Sequence, residues 1–446
     1  MSTYRYELKN YHAIKSASIV LDGITVLAGE NGCGKSTISR WLYYLVNASH
    51  RYEEFVYKTY LDKFNGLLYQ LERANREIRL SVPKQEQANL VSLSYSYRSN
   101  RTSGRKNDEE SFQRITEFIY DTIQQFSVNL EVFLNTVKFK SRRTRVLSYL
   151  QVDDRLLDSQ QIVEQFQEQN NQKVKAVVDE LQKELETRPL SGLYRTINHE
   201  YGEEDEVPKA IQLYEDNVGL INKNAVSELF NLHRAIYVDT PLALSHEDFG
   251  NVFWEELRSY ILDSGVGLSA TEKKLALRIK NILHGDVRLV EDDGLFDDEG
   301  ELRYYSSDKQ VDIEIGKTAT GFKTFIYLLR LLENGFLNHE TLLLIDEPEV
   351  HLHPQWIVEY ARLLVLLHKE LGLKMVLASH SPDMVAAIRS IAEREGVLAK
   401  THFYMAAKEE DTYQYIYKDL GTEIEEIFVS FNIALSRIQS YGCGSL

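Results

Sequence analysis

Cysteine is scarce in this chain of 446 residues, which contains only Cys33 and Cys443. Two cysteines cannot build a disulfide framework or a zinc site made of cysteine ligands, and this usage fits a reducing compartment. Long apolar runs are also missing. No stretch approaches the roughly 18 uninterrupted apolar residues of a membrane-spanning helix, and Met1 to Asn10 has no apolar signal region. We therefore expect a soluble, cytoplasmic protein without a membrane partner.

Positive charge is in deficit. The chain has 51 Lys and Arg against 67 Asp and Glu, a formal net charge of −16. This acidity argues against a protein whose whole surface grips nucleic acid, although it leaves room for a local basic patch. The sharpest such patch consists of Lys138, Lys140, Arg142, Arg143 and Arg145. It is open to two interpretations, a solvated helix face or a contact for nucleic acid or an acidic partner.

A glycine-rich turn organises the first part of the chain. Gly29, Gly34, Lys35 and Ser36 fit the pattern G-x-x-x-x-G-K-[ST], between an apolar strand over 24–27 and a helix over 37–45. Glycines let the backbone fold its amides inward around phosphates, and the following helix start favours anions. The pattern predicts an ATP-binding loop in which Ser36 also binds Mg²⁺. The predicted cofactor-binding residues of this loop are Asn31, Gly32, Gly34, Lys35, Ser36 and Thr37.

Two further apolar strands end in polar residues. The run over 342–345 precedes Asp346 and Glu347, and the run over 374–378 precedes Ser379 and His380. Continuous hydrophobicity is typical of strands covered on both faces, with functional residues at their carboxyl ends. ATP hydrolysis needs these residue types. We predict that Asp346 holds Mg²⁺, that Glu347 orients and deprotonates the attacking water, and that His380 contacts the γ-phosphate.

The polarity pattern divides the chain into segments. Alternation over 3–28 predicts two or three strands, whereas long polar segments such as 52–80, 109–137 and 162–187 predict helices. We predict four segments: 1–50, the first half of an ATPase head; 51–230, a helical insertion; 231–420, the second half of the head; and 421–446, a helical tail.

Taken together, the motifs resemble ABC-type ATPases of the SMC, RecF and OLD branch. The resemblance covers about 1–50 and 235–420. The matching segments are Gly29 to Thr37 for Walker A, Asp346 and Glu347 for Walker B, Glu349 to Pro354 for the D-loop region, and His380 for the switch histidine. The resemblance implies an α/β fold, an ABC-ATPase head with a mixed, partly parallel central sheet. It also implies N-terminal antiparallel strands and a short coiled-coil-like helical insertion.

The resemblance also implies a composite active site. In that family a signature segment before Walker B binds the γ-phosphate of the ATP held by the other subunit. Thr320 and Gly321 stand where the family usually has Ser-Gly, followed by Lys323. The implied assembly is therefore a homodimer, or a higher homo-oligomer, in which ATP and Mg²⁺ bridge two heads. Thr320, Gly321 and Lys323 are the predicted cofactor-binding residues contributed across that interface.

Within this branch the chain further resembles ATPase subunits of bacterial anti-phage systems such as PARIS and Septu, and retron-associated ATPases. The resemblance rests on Glu347 to Pro354 and on Ala319 to Lys323. OLD-type relatives carry a Toprim nuclease domain after the ATPase, but the residues after His380 contain no clustered acidic metal site. The resulting hypothesis is an ATPase sensor that assembles with and controls a separate nuclease or toxin. Its trigger would be nucleic acid or a phage protein.

Three alternatives remain. The first is a DNA-repair or DNA-clamping ATPase of the RecF or SMC type; the net charge of −16 and the absence of a Cys-x-x-Cys hook count against it. The second is a scaffold that uses ATP only to hold a partner, against which Glu347 argues because it is a candidate catalytic base. A transporter ATPase is the least favoured, since a large helical insertion separates Walker A from the signature.

Overall fold

The computed structural model describes residues 2–93, 108–152, 158–202, 207–239, 252–263, 265, 267–290, 301–306, 310–410 and 412–431. The strands are β1 (Tyr4–Tyr11), β2 (Ile14–Val20), β3 (Ile24–Ala28), β4 (Ala210–Glu215), β5 (Val218–Gly219), β6 (Ile221–Asn222), β7 (Ala225–Val226), β8 (Arg234–Val238), β9 (Asp286–Val290), β10 (Glu301–Ser306), β11 (Val311–Glu314), β12 (Thr341–Asp346), β13 (Lys374–Ser379), β14 (Thr401–Lys408) and β15 (Tyr415–Asp419). The helices are α1 (Lys35–His50), α2 (Tyr52–Ser81), α3 (Glu109–Thr136), α4 (Lys140–Leu150), α5 (Ser159–Thr187), α6 (Leu190–Tyr201), α7 (Val252–Leu262), α8 (Ala270–Leu283), α9 (Thr320–Glu333), α10 (Pro354–Leu371), α11 (Pro382–Glu395) and α12 (Glu425–Phe431).

The chain divides into two compact units. The head unit consists of Met1–His50 and Ile197–Leu446, and the helical unit consists of Arg51–Thr196. The predicted α/β class is confirmed, with one large mixed sheet and many helices. No helix among the described residues combines the length and the apolar content needed to span a membrane.

A ten-stranded sheet forms the centre of the head unit. Its strand order is β5-β4-β1-β2-β15-β14-β3-β13-β12-β8 among the described residues. The five strands from β14 to β8 are parallel to one another, whereas β1 pairs antiparallel with both β2 and β4. This confirms the predicted antiparallel strands at the N-terminus and a parallel region that contains the motif strands. The carboxyl ends of the parallel strands therefore meet at one edge of the sheet.

The parallel strands are apolar because helices cover them. Every residue of β3, β12 and β13 is buried. The helix α10 begins with Pro354, which suits the first helical position, and ends at Gly372, whose φ of 67° is the left-handed conformation that glycine tolerates. Its buried face joins that of α9 in the apolar core of the head. Burial of this kind is the main stabilising term in folding.

The helical insertion ends earlier than the sequence predicted. The sequence placed its end near residue 230, but the chain returns to the sheet at Ala210, where β4 pairs with β1 from Lys9 to Tyr4. The buried Tyr4 hydroxyl donates to Glu215 Oε1 at 2.7 Å. The six residues of β4 alternate between buried and less buried positions. Only Ile211 and Leu213 give an apolar signal there, which is too weak to stand out against the polar surroundings.

A second, antiparallel sheet of order β11-β10-β9 belongs to the head unit. Alternating polar and apolar residues over 287–315 predict such strands, and the structure confirms them. The turns that the sequence predicts at Asp293-Gly294 and Glu299-Gly300 lie outside the described residues. The segments 401–405 and 412–417 predict a C-terminal hairpin, which β14 and β15 form. Of the predicted tail, the structure describes α12, and the residues from 432 onward lie outside the described ranges.

The helical unit contains the long helices that the sequence predicted. They are α2, α3 and α5, with 30, 28 and 29 residues. Each has one buried apolar face; on α3 it includes Ile119, Phe126 and Phe133. A buried polar contact joins α2 and α3, because Asn129 Nδ2 donates to Asn75 Oδ1 at 2.9 Å. The segment over 95–108 is rich in Ser, Arg and Asn, which predicts a loop, and most of it lies outside the described residues.

Candidate functional site

The motif strands bring the candidate site residues to one edge of the sheet. In the strand register Ala28 pairs with Ser379, and Ala378 pairs with Asp346. The glycine-rich loop follows β3, and His380 follows β13. Three motifs, the first of them some three hundred residues before the other two, thus follow neighbouring parallel strands at the same level of the sheet. This is the edge at which open α/β sheets bind ligands.

A pocket of about 350 Å³ opens at this edge. Its lining residues are His12, Ala13, Asn31, Gly32, Gly34, Lys35, Ser36, Thr37, Asp346, Glu347 and Ala378. Eight of these are residues that the sequence singled out. Of the other predicted residues, His380 lies beside Glu347, whereas Thr320, Gly321 and Lys323 are not part of the lining.

The glycines of the loop have distinct roles. Gly32 and Gly34 have φ angles of 81° and 92°, which side chains other than glycine rarely adopt. A Cβ at Gly34 would lie 2.7 Å from Ile14 Cγ1, so the loop packs directly on β2. A Cβ at Gly32 would meet no atom within 4 Å, so the space above this residue is open. The loop is thus held against β2 on the side of Gly34 and is open to the pocket on the side of Gly32.

Lys35 is held within the loop. Its Nζ donates to the carbonyl oxygens of Gly29 and Glu30, both at 2.9 Å. Only 7% of the residue is exposed. The ammonium is therefore desolvated and bonded to neutral acceptors, and no carboxylate among the described residues forms an ion pair with it.

Asp346 is held in a matching way by neutral donors. Ser39 Oγ donates to its Oδ1 and the Tyr237 hydroxyl donates to its Oδ2, each at 2.8 Å. Burial, reinforced by the nearby negative charge of Asp346, raises the pKa of Tyr237 well above its usual value, so Tyr237 remains a donor. Neither partner was predicted from the sequence. Ser39 was detectable in principle, because it lies one helical turn after Lys35 on α1.

Glu347 occupies an unusual turn. Its φ of 51° is left-handed, and its backbone N–H donates to Ala378 O at 2.8 Å, which continues the pairing of β12 with β13. A non-glycine residue in this conformation costs about 1–2 kcal/mol. The turn separates the side chain of Glu347, 46% exposed, from the buried Asp346. The two carboxylates thus line the same pocket, although one is buried and the other is exposed.

Glu349 fixes the backbone around His380. Its buried carboxylate accepts hydrogen bonds from Ser379 Oγ, at 2.9 and 3.0 Å to its two oxygens, and from the His380 N–H at 2.9 Å. His380 Nδ1 lies 3.3 Å from Glu349 Oε1 and 3.8 Å from Glu347 Oε1. From the sequence, Glu349 was predicted only to belong to the D-loop region, without a role of its own. In the structure it connects the end of β12 to the histidine.

The predicted signature residues lie at the start of α9. A Cβ on Gly321 would come within 2.7 Å of the His351 carbonyl oxygen, so α9 packs closely on the segment after Walker B. Lys323 is 3% exposed, its Nζ donates to Gly316 O at 2.8 Å, and burial lowers its pKa. A contact between Lys323 and nucleotide would require the buried ammonium to become accessible.

The residues of the pocket fit a magnesium nucleotide. Lys35 supplies a positive charge for phosphate, and Ser36 and Asp346 supply the oxygen ligands that Mg²⁺ prefers. The described residues contain no group of three or more His, Cys, Asp or Glu side chains that would hold a metal ion unaided. Mg²⁺ in proteins is often held by one or two carboxylates together with substrate phosphates, which matches this arrangement.

The fold and the pocket define the class of protein. A glycine loop between a parallel strand and a helix, with a strand ending in Asp-Glu two positions away in the same sheet, is the site of a P-loop nucleotide-binding protein. The model of the AAA ATPase domain family matches residues 1–385, and the chain belongs to this family. No curated protein sequence matches the chain.

Solved structures with distant similarity are heads of SMC proteins and ATP-binding cassettes. The Smc head domain with a coiled coil and joint derived from Pyrococcus yayanosii is 11% identical, with a TM-score of 0.37, over 98% of this chain and 100% of that chain. The SMC head domain from Thermotoga maritima is 9% identical, with a TM-score of 0.34, over 94% and 99%. The ADP conformation of MJ1267, an ATP-binding cassette of an ABC transporter, is 10% identical, with a TM-score of 0.34, over 98% and 99%.

Proposed function

We propose that this chain is an ABC-type ATPase that binds ATP with Mg²⁺ and hydrolyses it to ADP and phosphate. The observation that carries the proposal is the convergence of Lys35, Asp346 and Glu347 on one pocket. The buried cation and the buried anion line the same pocket, yet each is bonded to neutral groups. A phosphate would compensate the charge of Lys35, and a bound metal ion that of Asp346.

The proposed roles follow from the environments of the side chains. Lys35 and the amides of the loop bind phosphate oxygens, and Ser36 and Asp346 hold the metal ion. The metal ion, when bound, supplies positive charge to the transferring phosphoryl group. Glu347, which is more exposed than Asp346, accepts the proton of the attacking water, and His380 donates to the γ-phosphate. Glu349 keeps the backbone of His380 at the end of β13.

The proposed assembly is a head-to-head homodimer or a higher homo-oligomer. Thr320 and Gly321 lie outside the pocket of their own chain, as a signature that serves another subunit would. The close contact between Gly321 and His351 supports a link between the signature and Walker B, since displacement of one backbone segment would disturb the other. ATP would join two heads, and hydrolysis would loosen them.

The proposed biological role is that of a sensor subunit in a bacterial anti-phage system, where it controls a separate nuclease or toxin. Support comes from the resemblance of Glu347 to Pro354 and Ala319 to Lys323 to such ATPases. A DNA-repair or DNA-clamping ATPase of the RecF or SMC type is the second candidate. The observation that favours it is the basic cluster between Lys138 and Arg145, in an otherwise acidic protein.

Co-purification separates the two roles. The tagged Glu347→Gln protein, expressed in a host with its native neighbouring genes, is expected to retain ATP and to capture its assembly. Mass spectrometry with and without nuclease treatment identifies what is bound, and Lys35→Ala serves as the control that cannot hold ATP. A stoichiometric nuclease or toxin that survives nuclease treatment supports the sensor role. Bound DNA without a protein partner would replace it with the clamp role.

A further inference from the structure

Charge is distributed unequally between the two units. Residues 51–196 of the helical unit contain 23 Lys and Arg against 21 Asp and Glu, a net charge of +2. The remaining residues contain 28 and 46, a net charge of −18, so the two segments add to the −16 of the whole chain. The overall charge therefore favours contact between an extended polyanion and the helical unit over contact with the surface of the head unit.

The positive charge of the helical unit is concentrated around α4. We name as the basic surface the side chains of Arg73 on α2 and of Lys138, Phe139, Lys140, Arg142, Arg143, Arg145 and Tyr149 in and before α4. Lys138, Lys140, Arg142 and Arg145 are exposed, and Arg143 is partly exposed. Phe139, in the middle of these cations, is 68% exposed. From 138 to 145 the chain has five cations and no acidic residue.

These cations do not stabilise α4. Three of them, Lys140, Arg142 and Arg143, lie in its first turn, which has no acidic residue and no side-chain cap. Positive charge at this end of a helix opposes the helix dipole, typically by about 0.3–1 kcal/mol for each charge. Arg145 pairs with Glu77 at 3.1 Å, but Lys138, Lys140 and Arg142 form no ion pair with any described residue. These three cations are therefore available to bind an anion that does not belong to the unit.

Two arginines of the basic surface lie over aromatic rings. The guanidinium carbon of Arg142 is 5.6 Å from the ring centre of Phe139, and that of Arg73 is 4.9 Å from the ring centre of Tyr149. A side-chain hydrogen bond also connects Arg145 to Tyr149 and lowers the pKa of that tyrosine. Planar cations next to the exposed ring of Phe139 and the partly exposed ring of Tyr149 offer flat surfaces on which bases can stack, as well as charge for phosphates.

We propose that the basic surface binds nucleic acid, with its cations on the phosphates and Phe139 stacked on a base. An acidic protein segment would satisfy the charges but would bring no planar base to the exposed phenyl ring among them. A nucleic acid uses both, and single strands expose the base faces that stacking needs. The proposal does not rest on ATP hydrolysis, because these residues belong to the helical unit and binding is measurable without nucleotide.

Fluorescence anisotropy tests the proposal with the full chain and a labelled, mixed-sequence DNA strand of about 20 nucleotides, which exceeds the span of a small site. The test variant is Lys140→Gln/Arg142→Gln/Arg143→Gln. The matched control is Lys173→Gln/Lys175→Gln/Lys183→Gln, which removes the same charge from exposed positions on α5. We expect the test variant to bind DNA at least about tenfold more weakly. The plot of log K against log salt should also become less steep by about 2, because each of the three lost phosphate contacts accounts for about 0.7 of the slope. The control is expected to lose less than about threefold, as it changes only the general charge.

A second variant isolates the stacking contact. Phe139→Ala is expected to weaken the binding of single-stranded DNA several-fold. The dependence of the binding constant on salt should stay unchanged, since a stacked ring releases no counterions. Equal losses in the test and control variants would overturn the basic surface as the site. So would the absence of wild-type binding at about 50 mM salt. If polyglutamate binds with the same dependence on the three residues while DNA does not, the partner is an acidic protein and the proposal is wrong.

Discussion

The two ends of the parallel strands both carry ionisable side chains, but they are built for different purposes. At the carboxyl ends, Asp346 and Glu347 border a pocket of about 350 Å³. At the amino ends, Asp22 accepts hydrogen bonds from His402 Nε2 at 2.6 Å and from Lys400 Nζ at 2.7 Å. The chain is tightly packed there, since a Cβ on Gly23 would come within 2.1 Å of the Lys400 carbonyl oxygen.

The difference lies in which charges are already neutralised. Asp22 has the ammonium of Lys400 and the imidazole of His402 as partners within its own unit, and although burial raises its pKa, the hydrogen bonds of His402 and Lys400 outweigh this and lower the pKa to about 2. Asp346 is bonded to two hydroxyl groups, and Lys35 to two carbonyl groups. Satisfied charges stabilise a fold, whereas charges held by neutral groups remain available to a ligand. Substitutions at the two edges should therefore affect different measurements.

The largest effect is expected from Lys35→Ala. Loss of the ammonium removes the positive side chain that faces phosphate in the pocket, so we expect no ATP binding measurable by calorimetry. Lys400→Ala, which removes a cation from the opposite edge, is the matched control and should retain the wild-type affinity for ATP. Unchanged affinity in Lys35→Ala would remove the loop from the proposed site.

Glu347→Gln is expected to keep ATP binding and to lower turnover by at least about a hundredfold, because the amide cannot accept the proton of the attacking water. Phosphate release under saturating ATP measures the loss. Glu359→Gln on α10 removes the same charge away from the pocket and should retain wild-type turnover. Wild-type turnover in Glu347→Gln would exclude this residue from the mechanism.

Local patterns predicted the strands and the loop around the pocket well, whereas contacts between residues distant in sequence could not be predicted. The glycine loop, the strand before Asp346 and the strand before His380 each carry their signal within about a dozen residues, and the structure has these elements where the patterns indicated. The partners Ser39 and Tyr237 become visible only when β8, β12 and α1 are assembled.

The missed end of the helical insertion has a related cause. A six-residue strand with two buried apolar side chains, such as β4, gives little periodic signal, and its identity depends on pairing with β1 more than 200 residues earlier in the chain. Short strands beside the edge of a sheet are specified by their neighbours more than by their own composition. The role of Glu349 was missed for the same reason, because its partners Ser379 and His380 lie at the end of another strand.

Glu349→Gln is expected to lower turnover by about tenfold with little change in ATP affinity. The amide can still accept a hydrogen bond from Ser379 or from the His380 N–H, but it removes the charge next to His380 Nδ1. A double-mutant cycle with His380→Ala tests whether Glu349 acts through the histidine. If it does, Glu349→Gln has little further effect once His380 is absent. Additive losses would show that Glu349 acts by another route.

Asp22→Asn should lower stability without lowering turnover, which is the converse of the preceding changes. The pKa of Asp22 falls from 3.8 to about 2 on folding, so ionised Asp22 stabilises the fold above about pH 4 by about 2 kcal/mol. Urea unfolding at pH 7 should show this loss. The gap between wild type and Asp22→Asn should close as pH falls from about 4 towards 2, because a protonated Asp22 loses its ion pairs just as asparagine does. Equal stability at pH 7, or a fall in turnover, would contradict the assignment of structure to one edge and catalysis to the other.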